Sequence, residues 1–387
     1  MPVSPTRTGV ALLGLSVATF TAITSETLPI GLLPEIARGL AVPVPSVGLL
    51  VSAYALVVVI ATIPLTRVTV RVPRRLLLSV VLGLLVLGCA AGAAAPTYGV
   101  LLVARVLTAL GHSVFWAIVV PIAASLVDPA VRGRAVSSVY AGGSIATVLG
   151  VPFATVLGQT VDWRAAFLGT SAVGAVALGI VAVALPRARG GVADVTRGSS
   201  PDRRRYLLLV AVTVLTSVGA LSAFTYVSPF LTAVGGVPPV ALGGVLLVRG
   251  VAGLVAVLAV GRLVDRFPRA TVPVAVGAHA LGMVLLALAG PLPPLAVVGS
   301  VLTGAAFAAF SAAIGAQVLA VAPGSVDVAT AGTSTAFNVG IASGAFVGGA
   351  ALSVAGLTAV PLVGLGFAAA GLAIALVEAR LSRAARA

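Results

Sequence analysis

Twelve apolar segments, each long enough to cross a bilayer, limit the fold of this chain more than any other feature. They cover about residues 9–34, 46–66, 75–95, 98–126, 134–158, 164–186, 206–232, 240–261, 270–290, 293–320, 328–352 and 358–378. About 20 apolar residues in helical form span the hydrocarbon core of a membrane. Inside lipid a helix satisfies its own backbone hydrogen bonds. The sequence therefore predicts an all-α membrane protein with twelve transmembrane helices.

Composition excludes several other classes of protein. Charged residues make up 8% of the chain, against about 25% in an ordinary soluble domain. The net charge of +14 would suggest nucleic acid in a soluble chain, but orientation in a membrane accounts for it better, and we expect no nucleic-acid partner. One cysteine and two histidines cannot supply a disulfide framework, a metal cluster or a nucleophilic triad. Without a P-loop either, we expect no enzyme activity, no metal and no cofactor.

The arginines predict the orientation of the chain. If the N-terminus is cytoplasmic, nineteen of the 23 basic residues fall in cytoplasmic segments and two in external ones. Such an excess is typical of the cytoplasmic side of a membrane protein. The first apolar segment is longer than the apolar part of a signal peptide. We therefore expect it to be retained, with both termini cytoplasmic.

The two halves of the sequence repeat at an offset of 195 residues. Arg67, Arg71 and Arg74 fall on Arg262, Arg266 and Arg269, and the same offset aligns Pro34 with Pro229, Pro73 with Pro268, Phe115 with Phe310, and 106–108 with 301–303. We predict a six-helix half at 1–186, a cytoplasmic linker at 187–205 and a second six-helix half at 206–387. Two parallel repeats are the layout of secondary transporters that bind substrate near the membrane midplane.

Glu26 places a carboxyl group inside the first apolar segment. A charged residue at the centre of a membrane helix costs about 2.5–3.5 kcal/mol, and such residues usually mark ion or substrate paths. Counting residues at 1.5 Å each puts Glu26 and Arg105 at ~12 Å and ~10 Å below the same surface. We therefore expect the two to pair or to approach each other and to couple transport to protons. A static salt bridge is the alternative, although buried pairs contribute little net stability.

Two other spans carry unusual polar residues near Arg105 and at the membrane centre. His112 and Trp116 follow Arg105 on the same helical face, where they could meet an amphipathic ligand; a packed histidine is an equally good interpretation of His112. Arg249 lies mid-span, at the position equivalent to Tyr54, with no acid at its depth. We assign Tyr54, His112, Trp116, Arg249 and Asn338 to substrate binding. His279 is interpreted as a packed histidine.

Small residues and loop charges suggest moving parts. Gly142, Gly150 and Pro152 lie in the fifth segment, where small residues permit close helix packing and proline permits a kink. Plain helix packing explains part of this pattern. The arginine-rich loops contain Arg71, Asp265 and Arg266, which we predict to form a breakable charge cluster at a cytoplasmic gate.

Several of these motifs resemble the major facilitator superfamily, and within it the twelve-helix drug:proton antiporters. Gly261, Asp265, Arg266 and Arg269 are similar to its loop motif, and residues 101–111 to its helix-4 motif, whose arginine is implicated in proton coupling. Residues 26–36, 149–152, 157–159 and 163–167 resemble the chloramphenicol-resistance and sugar-efflux branch. The first-half loop departs from the motif at Thr66 and Val70, where the family has Gly and Asp. Val151 splits the Gly-Pro of the antiporter motif.

The resemblance implies the major facilitator fold and a function in export. We expect a monomeric transporter in the bacterial inner membrane that exports a small amphipathic drug, such as chloramphenicol, against proton entry. Export of sugars or other metabolites is the first alternative, although a sugar site would need more polar side chains than these spans offer. A membrane sensor without transport is the second, although such proteins normally carry a soluble signalling domain.

Overall fold

The computed structural model describes residues 5–186, 198–290 and 292–384, and almost all of them are helical. The first-half helices are α1 Pro5–Gly31, α2 Leu33–Gly39, α3 Val44–Thr69, α4 Arg74–Ala93, α5 Tyr98–Ser125, α6 Arg132–Ile145, α7 Val151–Thr160 and α8 Trp163–Ala184. The second-half helices are α9 Arg203–Phe224, α10 Val227–Ala233, α11 Pro239–Arg266, α12 Pro268–Ala289, α13 Pro293–Val321, α14 Val326–Ala355 and α15 Ala359–Ala384.

Twelve stretches within the described residues are long and apolar enough to cross a membrane. They coincide with the twelve segments marked in the sequence, which confirms the predicted all-α membrane fold. The fifth stretch, Pro129–Thr160, combines α6 and α7 around a π-helical turn at Ala146–Gly150. Such a turn inside a helix often lies at a functional site. Here it immediately precedes Pro152, where the sequence predicts a kink.

The first and seventh spans are each followed by a short helix, and proline explains the break. Pro29 lies inside α1, and Pro34 lies in the first turn of α2. Proline has no N–H, so it fits the start of a helix and weakens its interior. In the second half α9 gives way to α10, and Pro229 takes the place that Pro34 has in α2. The repeat seen in the sequence is thus repeated in the helix breaks.

The chain divides into two compact units. Unit 1 contains Met1–Pro129, Ser138–Thr196 and Ser325–Thr335, and unit 2 contains Ala130–Ser137, Arg197–Gly324 and Ala336–Ala387. The boundaries expected from the sequence, at 186 and 206, remain predictions, and residues 187–197 of the linker lie outside the described part of the chain.

Each unit has apolar clusters of its own. In unit 1, Leu32, Leu50, Leu101 and Phe167 belong to a buried cluster to which six helices contribute, α1, α2, α3, α5, α7 and α8. In unit 2, buried residues of α9, α10, α12 and α15 form another cluster. These clusters fix the spans that carry the charged residues described below.

Candidate functional site

Glu26 lies in α1 with its carboxyl group half-buried. One carboxylate oxygen is 3.7 Å from Nε2 of His112 in α5. This separation is too long for a strong hydrogen bond, but it leaves no room for another residue between the two groups. The carboxyl group predicted to sit inside a span therefore has a titratable ring as its neighbour.

Arg105 is fully buried and binds the main chain of α1. Its Nη1 donates to the carbonyl of Ser25 at 2.6 Å, and its Nη2 donates to the carbonyl of Glu26 at 3.0 Å. The Ser25 carbonyl is available because Pro29, four residues later, has no N–H to donate to it. Arg105 thus replaces a helical hydrogen bond that the sequence of α1 cannot make.

Glu26 and Arg105 lie next to each other, as predicted, but their side chains do not form an ion pair. Arg105 contacts the backbone oxygen of Glu26, whereas the Glu26 side chain turns toward His112. Within the described residues no ion pair joins the two side chains. The alternative of a static Glu26–Arg105 salt bridge therefore does not describe this arrangement.

Tyr54 of α3 joins these charged groups. The guanidinium carbon of Arg105 lies 4.3 Å from the centre of the Tyr54 ring, a cation–π geometry. The same ring meets His112 edge-on, with ring centres 5.5 Å apart. Glu26, His112, Tyr54 and Arg105 therefore form one connected cluster, which we call the Glu26 cluster.

A row of aromatic side chains leads away from His112. Trp116 is 6.5 Å from His112, and Tyr140 of α6 is 5.4 Å from Trp116, measured between ring centres. Trp116 and Tyr140 are half-buried, whereas Tyr54 and His112 are buried. Nδ1 of His112 is buried and has no hydrogen-bond partner. Sequence reasoning missed Tyr140, although an aromatic residue two positions before Gly142 in a segment of small residues was a usable signal.

Arg249 of α11 has no acidic partner among the described residues. Its Nη1 donates to the carbonyl of Ser300 at 2.7 Å and to Oγ1 of Thr303 at 2.9 Å. Its guanidinium carbon lies 4.7 Å from the centre of the Phe224 ring. His279 is buried, with Nδ1 3.2 Å from the carbonyl of Thr303.

Asn338 of α14 is half-buried and next to an aromatic group. The neighbouring Phe337 packs against Phe307 and Phe310 of α13, with ring centres 6.3 and 6.0 Å away. The structure therefore places Asn338 in unit 2, and Tyr54, His112 and Trp116 in unit 1.

The loop residues predicted to gate are arranged differently from the expected cluster. Asp265 accepts from the backbone nitrogen of Gly133 at 2.6 Å, and its other oxygen lies 3.8 Å from Nε of Arg134. This carboxylate sits at the first turn of α6, where a negative charge is favourable. Arg266 packs over Phe267 at 5.3 Å, and Arg71 is exposed. Asp265 thus has its partners in the first turn of α6 and not in its own loop, and the predicted charge cluster at a cytoplasmic gate remains a prediction.

Two further ion pairs involve acids that sequence reasoning did not assign. Arg74 pairs with Asp327 at the start of α14. Nη2 of Arg205 lies 2.7 Å from the carboxylate of the buried Glu378. Glu378, like Glu26, is an acidic residue in a predicted apolar segment. The same signal could therefore have identified it from the sequence.

Close packing involves the small residues of the fifth span. A Cβ at Gly142 would meet the backbone of Ser16 in α1, and one at Gly150 would lie 2.8 Å from the Phe20 ring. Pro152 follows the π-helical turn in the first turn of α7.

In the described part of the chain, no group of three or more His, Cys, Asp or Glu side chains could hold a metal ion.

Comparisons with known proteins agree with this architecture. A sequence model of the Major Facilitator Superfamily matches residues 15–292. A chloramphenicol efflux pump of Mycobacterium tuberculosis is 38% identical over 347 residues, which cover 87% of this chain and 84% of that protein. A probable sugar efflux transporter of Mannheimia succiniciproducens is 31% identical over 356 residues, covering 90% of this chain and 89% of that protein.

The crystal structure of a human organic anion transporter also superposes on the chain. Its TM-score is 0.76 at 15% identity, and the match covers 96% of this chain and 100% of that one. At this identity the likeness shows the fold alone. Together with the sequence matches and the twelve helices, it leads to one conclusion: the chain belongs to the major facilitator superfamily and is a multi-pass membrane transporter rather than an enzyme.

Proposed function

We propose that this transporter exports small amphipathic, chloramphenicol-like compounds in exchange for protons, by alternating access. The observation that carries the proposal is the Glu26 cluster. A half-buried carboxyl group lies beside a histidine inside a span, and the adjacent Arg105 is anchored to the same helix turn. Ionisable groups in such positions usually mark proton or substrate paths.

Glu26 and Arg105 have different roles in this proposal. The carboxyl group of Glu26 takes up and releases the proton. Arg105 supplies a fixed positive charge, because two backbone oxygens and the Tyr54 ring hold its guanidinium group in place.

The aromatic row supports an amphipathic substrate. Trp116 and Tyr140 are half-buried and could stack on an aromatic ring, with His112 next to them. In unit 2, Arg249 and Asn338 are the proposed polar contacts. The relative from Mycobacterium tuberculosis, a chloramphenicol efflux pump, supports this class of substrate.

Export of sugars is the second candidate function. The relative from Mannheimia succiniciproducens, a probable sugar efflux transporter, favours it. The Glu26 cluster is less suited to a sugar, since it offers aromatic rings and charges but few amide or hydroxyl groups. A panel that contains both sugars and amphipathic drugs separates the two candidates.

The proposed location is the bacterial inner membrane, with both termini in the cytoplasm and the protein as a monomer. The support for this orientation is the distribution of arginines between alternate connections. In the same setting we propose that Asp265 leaves the first turn of α6 during transport and that Arg71, Asp265 and Arg266 act at a cytoplasmic gate.

The experiment uses everted membrane vesicles with a preformed pH gradient. Addition of chloramphenicol should partly release the gradient in vesicles that contain the protein, and the Glu26→Gln variant should show no release. Asp162→Asn is the matched control, because Asp162 is exposed, caps α8, and asparagine caps equally well. A gradient that no drug or sugar of the panel affects in the wild type would contradict proton-coupled export.

A further inference from the structure

The second unit contains a half-buried arginine inside a span, Arg249, which has no acidic partner among the described residues. Arg249 is held between α9, α11 and α13 by Phe224, Ser300 and Thr303. The acids described in unit 2 all have other partners: Asp202 caps α9, Asp265 binds Gly133, and Glu378 binds Arg205. A charge inside a span is costly, so an unbalanced one points to a ligand.

The internal repeat shows which counter-charge is missing. At the offset of 195 residues, Arg249 takes the place of Tyr54 and Ser300 takes the place of Arg105. One arginine therefore bridges each of the helix pairs α3–α5 and α11–α13. It is carried by the second helix of the pair in unit 1 and by the first helix of the pair in unit 2. In unit 1 that arginine lies beside Glu26, whereas the position equivalent to Glu26 in unit 2 is Leu221.

The guanidinium group of Arg249 presents a free edge. Nη1 makes the two hydrogen bonds to α13, whereas Nε and Nη2 have no acceptor among the described residues. Nε of Arg105 is fully buried and has no hydrogen-bond partner. Nε and Nη2 of Arg249 are not among such fully buried, unpartnered atoms, so they are partly exposed. Two parallel N–H groups match the two oxygens of a carboxylate.

Packing fixes this edge in one place. Gly304 of α13 lies directly against Arg249, and a Cβ there would be 2.6 Å from Cγ and 3.0 Å from Nε of the arginine. Phe224 covers one face of the guanidinium group and is itself 42% exposed. An exposed aromatic ring next to a free guanidinium edge suits a molecule with both an apolar body and an anionic group.

The position of Arg249 excludes a lipid headgroup as the anion. Arg249 is nine residues after the start of the span Val240–Arg266, which corresponds to ~14 Å along the helix. The other end of this span, at Arg266, is farther from Arg249 along the helix. An anion that reaches this depth must be small and inorganic, or carried by a molecule that enters the protein.

We propose that Arg249 binds the carboxylate of an amphipathic organic acid through its Nε and Nη2 groups, with the apolar part of the acid on Phe224. The inference rests on the proposed export function and adds amphipathic organic acids to the substrates that this function would carry. In this proposal Arg249 gives the site its preference for an anionic substrate, while Glu26 and Arg105 couple transport to the proton.

The test measures binding to purified protein in lipid nanodiscs, with no gradient present. The probes are 4-phenylbutyrate and its uncharged amide. The wild type should bind the acid about tenfold tighter than the amide, since a charge-assisted bidentate pair is lost with the amide. Arg249→Gln should remove this preference by weakening binding of the acid much more than binding of the amide, and Arg249→Lys should keep part of the preference. Arg38→Gln, at an exposed arginine outside the spans, should behave like the wild type.

Each other outcome has a definite meaning. Unchanged preference in Arg249→Gln overturns the assignment, and the retained binding of the amide shows that the variant is folded. If chloride at similar concentration displaces the acid and the phenyl tail adds no affinity, the site binds an inorganic anion and the proposal is wrong. The preference should persist in Glu26→Gln, so a failure of proton coupling is distinguishable from a failure of this site.

Discussion

Nε2 of His112 lies 3.7 Å from the carboxylate of Glu26, while the guanidinium group of Arg105 binds the backbone of Glu26 instead. The side chain and the main chain of one residue therefore face two different cationic or potentially cationic groups. The hydrogen bonds from Arg105 that hold α5 against α1 do not involve the carboxylate, which is the group that we propose to carry the proton.

His112→Gln should impair proton-coupled export. Glutamine retains a polar side chain of similar length, but it cannot accept a proton next to Glu26. A positioned group that assists proton transfer typically contributes about 10²–10⁴-fold in rate, so we expect a loss toward the lower end of this range. The measurement is uphill export into everted vesicles at a fixed pH gradient. His279→Gln is the control, because His279 is equally buried and lies outside the Glu26 cluster; equal losses in both variants would argue against a role for His112.

Pro29→Ala should lower export without destabilising the protein. An alanine N–H at position 29 can donate to the carbonyl of Ser25, so it competes with Nη1 of Arg105. Proline inside a helix costs about 3 kcal/mol relative to alanine, and Arg105 already offsets part of that cost. We therefore expect an unchanged or higher melting temperature together with weaker coupling. Wild-type coupling ratios in this variant would show that the hydrogen bond from Arg105 does not matter for transport.

The sequence alone was enough to predict the twelve spans, and it singled out Glu26, Arg105, His112 and Tyr54, which the structure brings together in the Glu26 cluster. Segment length and hydropathy determine which stretches can cross a membrane, and a charge inside such a stretch is conspicuous. The partners of these residues were not predictable. Counting residues gave similar depths for Glu26 and Arg105, but it could not show that Pro29 frees a carbonyl for the arginine or that the carboxylate turns toward His112.

Asp265 shows a second limit of sequence reasoning. Asp265 lies among arginines in the sequence, so local pairing was the natural interpretation. In the folded chain its partners are Gly133 and Arg134, more than 130 residues away. The same holds for Arg74 with Asp327. Pairings of this kind depend on how helix ends meet, which neither periodicity nor composition records.

Gly304→Ala should displace Arg249 and abolish the preference for the organic acid. The new Cβ would lie 2.6 Å from Cγ of Arg249, so the arginine side chain must move away from α13. Overpacking of this kind costs about 1–3 kcal/mol of stability. Acid and amide binding, together with the melting temperature, are the measurements. Gly253→Ala is the control in the same helix pair, since a Cβ there would make an ordinary contact of 3.5 Å with Ala308; loss of preference in both variants would point to general disturbance of the pair.

Glu378→Gln should be the most destabilising conservative change in unit 2. Arg205 donates from Nε at 2.8 Å and from Nη2 at 2.7 Å to the same buried carboxylate oxygen. Removing one partner of a buried ion pair leaves an uncompensated charge and costs about 3–5 kcal/mol, whereas replacing both partners by apolar residues can be nearly neutral. We therefore expect Arg205→Leu with Glu378→Leu to be more stable than either single variant. Unfolding free energies in detergent for the full mutant cycle measure this, and additive losses would mean that the pair contributes no coupling.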